Sequence, residues 1–128
     1  MPLSELEHAV FAYFVAEQAD TFNLANRYYP YGELVLTWED KINVATRKFG
    51  TRARMKAKIA ATAFLDLIIE KGGYISKTND FGGTMHAFQL DEYRAILKGL
   101  KETDPLILKA QAGGAEFWAD TFADLTRD

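Results

Sequence analysis

The spacing of apolar side chains predicts a mostly helical chain that begins with a capped helix. Apolar residues recur at helical intervals over about Leu3–Asp20, and Ser4 followed by Glu7 fits a capping box at the start of that segment. The next segment, Phe22–Gly32, is aromatic and is interrupted by Pro30. Proline and glycine break regular structure, so this segment predicts an irregular or short helical connection.

The middle of the chain predicts a strand, two helices and a hairpin. Short alternating runs indicate strands, apolar residues at three- and four-residue intervals indicate helices, and glycines mark their ends. Thr37 is the expected cap of the first of these helices, and Thr51 that of the second. The expected elements are a strand at Glu33–Thr37, a short helix that stops at Gly50, a longer helix from Thr51 to Gly72, and strands at Tyr74–Thr78 and Thr84–Leu90.

Two further helices are expected after the hairpin. Asp91 can cap the first, and Asp104 followed by Pro105 at the first helical position can open the second. A chain of 128 residues that is 48% hydrophobic is long enough for one domain with a core and too short for two. The predicted fold is therefore mainly α with a small β-hairpin, an α+β class, in a single domain over residues 1–128.

Charge is strongly segregated along the chain. Between Lys41 and Lys58 lie seven of the 15 basic residues and no acidic one, so this stretch carries +7. The other eight basic residues stand against all 18 acidic residues, so the remainder carries −10 and the net charge is −3. Concentrated positive potential favours an anionic partner, and nucleic acid is the commonest large anion in cells.

The helix that begins at Thr51 concentrates this charge in its opening turns. Its four basic residues do not share one face of a helical wheel, which predicts that these turns are wetted on several sides. Cations near a helix N-terminus oppose the macrodipole by a few tenths of a kcal/mol to about 1 kcal/mol each. Local stability therefore does not explain them, whereas an anionic partner does. They are Arg52, Arg54, Lys56 and Lys58.

A short helix, a Gly-Thr turn, a long helix and a hairpin follow one another in the order of winged helix-turn-helix domains. The junction from Phe64 to Ile75, Phe-Leu-Asp-Leu-Ile-Ile-Glu-Lys-Gly-Gly-Tyr-Ile, resembles their helix-to-wing junction, and the layout looks most like the MarR type. The resemblance covers residues 33–90, a winged-helix-like three-helix core, with residues 91–128 as a C-terminal helical extension. The hairpin tip departs from it, because Asp80 and Phe81 replace the usual basic tip.

The resemblance implies a duplex DNA-binding transcriptional regulator whose helix from Thr51 enters the major groove. Arg47 and Lys48 would then lie against the backbone, and Lys77 would be the wing contact. Arginine reads guanine with two parallel hydrogen bonds, so Arg52 and Arg54 are better specificity candidates than the lysines. The full implied set is Arg47, Lys48, Thr51, Arg52, Arg54, Lys56, Lys58 and Lys77.

Other interpretations of the charge remain open. A basic run can simply keep a helix face solvated, and an acidic protein or a small phosphorylated ligand could use the same cations. Winged helices also serve as protein-docking modules. The alternative function is therefore a non-catalytic interaction module, such as an adaptor or an inhibitor of a larger complex, that acts through its acidic surface.

Two aromatic groups each have two interpretations. Phe22, Tyr28, Tyr29 and Tyr31, with Arg27 beside them, could stack unpaired bases, but aromatics in such a connection more often cap a core. The C-terminal group suggests a homodimer interface or packing on the chain's own core. It consists of Phe117, Trp118 and Phe122.

The sequence offers no catalytic pattern. His8 and His86 are far apart and belong to no metal-binding or nucleophile-activating motif, and there is no cysteine. We expect no enzyme activity, no metal and no cofactor, and we expect His86 to be a surface residue of the hairpin. Acidic residues replace the basic start of a secretory signal, and no apolar run is long enough to span a bilayer, so a cytoplasmic protein without membrane contact is expected.

Overall fold

The structure, a computed structural model, describes residues 4–22, 24–25, 27–47, 49–112 and 123–124. Within them, five helices and a small antiparallel sheet of three strands are defined, which confirms the predicted α+β class. In chain order the elements are α1 (Glu5–Ala19), β1 (Tyr28–Pro30), α2 (Tyr31–Ala45), α3 (Thr51–Glu70), β2 (Tyr74–Thr78), β3 (Thr84–Phe88), α4 (Leu90–Thr103) and α5 (Pro105–Ala112).

Two helix starts follow the predicted caps. At α1 the Ser4 hydroxyl accepts a hydrogen bond from the Glu7 amide, and the Glu7 carboxylate accepts one from the Ser4 amide, each at 3.1 Å. At α5 the Asp104 carboxylate accepts from the amides of Leu106 and Ile107, at 3.0 and 3.2 Å. These bonds satisfy amides that have no partner within their own helix, which fixes where each helix begins.

The predicted strand at Glu33–Thr37 is wrong, because this segment belongs to helix α2. The helix begins directly after Pro30, whose fixed φ suits the entry to a helix. Its buried residues Leu34, Trp38 and Ile42 recur every four positions, the spacing of a helix face. Thr37 is not a cap; its hydroxyl donates to the Glu33 carbonyl inside the helix, at 2.9 Å.

The predicted hairpin is confirmed as β2 and β3, and it gains a third strand. The strand order is β1-β3-β2, all antiparallel, so that Tyr29 pairs with His86 and His86 pairs with Ser76. Strand β3 ends at Phe88, two residues before the predicted end. The element order and this small sheet are compatible with a winged-helix layout, although β1 lies before residue 33, where the sequence-based core began.

Aromatic side chains join the helices to the sheet in one core. The Trp38 indole N–H donates to the Tyr74 hydroxyl at 3.1 Å, and the Phe22 ring packs edge-on against Trp38. The Tyr93 hydroxyl of α4 donates to the Ala19 carbonyl at the end of α1, at 2.8 Å. Phe22 and Tyr29 are buried in this core, as the packing interpretation of the aromatic connection expected.

The region after α5 contains the residues expected to form a dimer interface. Phe117, Trp118 and Phe122 lie outside the described residues, so that expectation remains a prediction. Among the helices that the structure describes, none combines the length and apolar character needed to cross a bilayer.

Candidate nucleic-acid interface

The turn between α2 and α3 gathers basic residues at one end of the molecule. The Thr46 hydroxyl donates to the Ile42 carbonyl at 2.7 Å, and the Phe49 amide donates to the Thr46 carbonyl at 2.9 Å, which holds the turn closed. Gly50 then enters α3 in an extended conformation. We call the resulting surface the basic end; its described cations are Arg47, Arg52 and Arg54.

The side chains of the basic end differ in their access to solvent. Arg47, Thr51 and Arg52 are exposed, and Arg54 is half-buried. The Nε of Arg54 is buried and has no hydrogen-bond partner among the described residues. The Lys48 side chain lies outside those residues. Three of the predicted site residues thus share an exposed surface, and a fourth stands beside them with an unsatisfied donor.

Lys56 lies in the interior, not at the surface. Only 7% of it is exposed, and its ammonium forms an ion pair with Glu7 of α1. Ala53 and Ala57 on the same side of α3 are also buried. The expectation that the opening turns of this helix are wetted on several sides is therefore wrong, because α1 packs against its inner face.

The Lys56–Glu7 pair changes the electrostatics of α1. The hydrogen bond from Lys56, and next the one with the Ser4 backbone, hold the pKa of Glu7 below its ordinary value of 4.5. An ammonium that is buried and already neutralised by a carboxylate cannot approach a phosphate without a large loss of stability. Lys56 therefore belongs to the core of the fold.

Lys58 is also paired, although more loosely. Its ammonium lies 3.9 Å from the carboxylate of Glu39 on α2, and about a third of each side chain is exposed. Ion pairs at this distance and exposure contribute little stability. Lys58 can leave Glu39 for another anion, but in this arrangement its charge is shared with α2.

The solvent-facing side of α3 is not basic along its length. We call it the outer face of α3; its members are Arg52, Met55, Ile59, Ala63, Asp66 and Glu70, all exposed. It passes from one cation at the N-terminal end, through apolar side chains, to two carboxylates. A count of charge along the chain hides this face, whereas helical periodicity beyond Lys58 separates these positions.

The predicted wing contact lies away from the basic end. Trp38, in the middle of α2, bonds Tyr74 at the base of the hairpin, whereas Tyr31, at the start of α2, packs edge-on against His86, nearer the tip. The hairpin therefore runs toward its tip in the direction opposite to α2, a helix about 22 Å long. Lys77, exposed on β2 with its ammonium 4.1 Å from the centre of the Tyr28 ring, is not brought to the basic end.

His86 is buried, not exposed as the sequence suggested. Its Nδ1 lies 2.7 Å from the Ser76 hydroxyl on the paired strand, and burial lowers the pKa of its imidazole. The hydrogen bond ties β2 to β3. Among the described residues no three metal-binding side chains form a cluster.

Comparison with known proteins finds no matching family model, no similar curated protein and no similar solved structure. A functional conclusion therefore rests on the geometry of the chain itself.

Proposed function

We propose that this protein binds duplex DNA through the basic end and acts as a winged-helix transcriptional regulator. The observation that carries the proposal is the exposed group of Arg47, Thr51 and Arg52, with Arg54 beside it, on a helix-turn-helix in a winged-helix-compatible element order. Clustered cations at a helix entry attract phosphates, and an arginine at that point reaches base edges.

The roles follow from the position of each side chain. Arg47, in the turn, would contact the phosphate backbone, and Thr51 and Arg52 would enter the groove with the first turn of α3. Arg54, half-buried beside them, would add positive charge close to the phosphates. Only this first turn is suited to the groove, because the outer face of α3 becomes apolar and then acidic further on.

The test is fluorescence anisotropy of a labelled mixed-sequence duplex, titrated at about 50 mM and about 200 mM salt. Replacing Arg47, Arg52 and Arg54 together by alanine should weaken binding about tenfold or more and reduce its salt dependence, because each lost phosphate contact lowers the salt slope by about one. The matched control replaces Lys71, Arg94 and Lys98, three exposed cations elsewhere, by alanine. That variant has the same net charge and should retain most of the affinity.

Equal losses of duplex affinity in the two triple variants would mean that only net charge matters. An absence of duplex binding by the wild type at low salt would contradict the proposal. A single strand of the same length, titrated in parallel, separates groove binding from general attraction to phosphates. Duplex should be preferred, because the proposed contacts place Thr51 and Arg52 in a major groove, which a single strand does not have.

A second candidate is a protein-interaction module, and one observation favours it. Met55 and Ile59 are exposed, at 51% and 39%, on the face of α3 that a DNA-binding helix would turn to its target. Large exposed apolar side chains mark protein contacts more often than phosphate contacts. The duplex titration separates the candidates, since this one predicts no salt-dependent binding of DNA.

A further inference from the structure

The outer face of α3 has an apolar centre with opposite charges at its two ends. Met55 and Ile59 expose much of their side chains in the middle of the face. Arg52 lies at the N-terminal end, and Glu70 lies at the C-terminal end with Asp66 one turn before it. Contact with water is unfavourable for the apolar side chains of Met and Ile. Solvation of the helix therefore does not account for their exposure on this face.

Four of the six residues of this face form two complementary pairs about a centre at Ala61. The cation Arg52 is matched by the carboxylate Glu70, and the large Ile59 is matched by the small Ala63. These four positions lie within a narrow sector of the helix, because their spacings are close to whole numbers of turns. These four positions are therefore complementary to those of a second copy that is turned end to end.

We propose that the outer face of α3 binds the α3 of a second copy of this chain, antiparallel and about a two-fold axis. Each Arg52 then faces the Glu70 of the other copy, and each Ile59 packs into the space above the other copy's Ala63. A two-fold interface uses the same patch on both subunits, and large side chains opposite small ones let two helices interdigitate. A parallel pairing is excluded by charge, since it would place acid beside acid.

This inference goes beyond the proposed function and does not rest on it, because the pairing needs no nucleic acid. The contact is confined to one helix face, so the dimer is expected to be weak and in exchange with the monomer. Pairing also covers Arg52, which belongs to the basic end. A duplex and a second copy therefore compete for that arginine.

Sedimentation velocity over about 10 µM to about 1 mM tests the pairing first. The wild-type chain should shift toward the dimer as concentration rises, and Ile59→Glu should stay monomeric because it buries a carboxylate at the centre of the face. The matched control is Leu36→Glu, an exposed leucine on α2 that lies off this face. It should dimerise like the wild type.

Charge reversal tests the antiparallel register. Arg52→Glu and Glu70→Arg should each weaken the dimer about tenfold, because each places like charges together, and the variant with both changes should recover it. Thermal melting of each variant separates a lost interface from a lost fold. A wild-type monomer at the highest concentration, an unaffected Ile59→Glu dimer, or a double reversal that does not recover would each overturn the proposal, whatever the duplex titration gives.

Discussion

At the scale of single residues, the environment of Lys56 determines whether its charge is available to a partner molecule. In sequence it belongs to a run of cations, but in the fold its ammonium meets Glu7 in the contact between α1 and α3. Moving both charges out of water costs free energy that their mutual attraction offsets only while the pair is intact. The pair therefore acts as one unit, and either charge without the other would destabilise the fold.

Replacing Lys56 by methionine should lower the free energy of unfolding by about 1–3 kcal/mol, because it leaves the Glu7 carboxylate largely buried without its cation. Adding Glu7→Gln should recover most of this loss, since glutamine is neutral and can still complete the capping box with Ser4. Urea unfolding measures both. The control is Lys98→Met on the exposed side of α4, which should change stability by less than about 0.5 kcal/mol. If the Lys56→Met protein were as stable as the wild type, Lys56 would not form a buried ion pair with Glu7.

The pair also predicts how stability depends on pH. The folded protein holds the pKa of Glu7 below its ordinary value of 4.5, so the folded state binds fewer protons at this group than the unfolded state. This contribution to stability is complete above about pH 4.5 and is lost as pH falls through the lower folded pKa. Unfolding measured from pH 7 to pH 3 should show a shallower acid decline in the variant with Lys56→Met and Glu7→Gln. An unchanged decline would assign the acid sensitivity to other carboxylates.

At the scale of elements, the sequence predicts those helix and strand boundaries that are set by residues close to them in the chain. The Ser4 and Asp104 caps located the starts of α1 and α5, and paired glycines located the end of α3 and the turn of the hairpin, because those signals act within a few residues. The caps expected at Thr51 and Asp91 are wrong, because Gly50 and Gln89 occupy the N-cap positions of α3 and α4 and neither makes a side-chain cap bond within the described part of the chain. Strand β1 could not be found this way, since the strand that satisfies its backbone, β3, is distant in sequence. The same holds for the candidate site. Its basic residues are evident in the sequence, but the burial of Lys56 and the pairing of Lys56 and Lys58 depend on Glu7 and Glu39, which lie on other helices.

The helical assignment of residues 31–45 predicts a gain from Gly32→Ala. Gly32 lies in the first turn of α2, and a Cβ added there meets no atom within 4 Å. Alanine should raise the free energy of unfolding by up to about 1 kcal/mol, because it restricts the unfolded chain and favours helix. Gly99→Ala in α4, equally open, is the matched control and should give a similar gain. A loss at Gly32 with a gain at Gly99 would contradict the start of α2.

Gly73→Ala should have the opposite effect. A Cβ at this position would collide with the Ile68 side chain and approach the Ile68 carbonyl oxygen to 3.2 Å. The junction between α3 and β2 would have to shift, at a cost of about 1–3 kcal/mol. Urea unfolding of Gly73→Ala, Gly32→Ala and Gly99→Ala compares their free energies of unfolding. If Gly73→Ala were as stable as the wild type, the junction between α3 and β2 would have room for a Cβ.

At the scale of the whole molecule, α2 separates two different surfaces. The basic end lies where α2 passes into α3, and the hairpin tip lies beyond the opposite end of α2. The tip is held by the Asn79 carboxamide oxygen, which accepts from the amides of Phe81 and Gly83 at 3.0 and 2.9 Å. It presents the Phe81 ring, 97% exposed, beside the acidic Asp80. An acidic, aromatic tip at this separation is unsuited to contact with a duplex that binds, as proposed, at the basic end.

Phe81→Ser should therefore leave the affinity for duplex DNA unchanged within about twofold, because the ring contributes no charge and lies away from the basic end. Stability should also stay within about 0.5 kcal/mol of the wild type, since the ring buries almost nothing in the fold. Anisotropy at the lower salt concentration and urea unfolding measure the two quantities, with the triple arginine variant as the reference for lost binding. If Phe81→Ser weakened duplex binding as much as that variant does, the tip would touch the DNA, and the basic end and the hairpin would form one continuous interface.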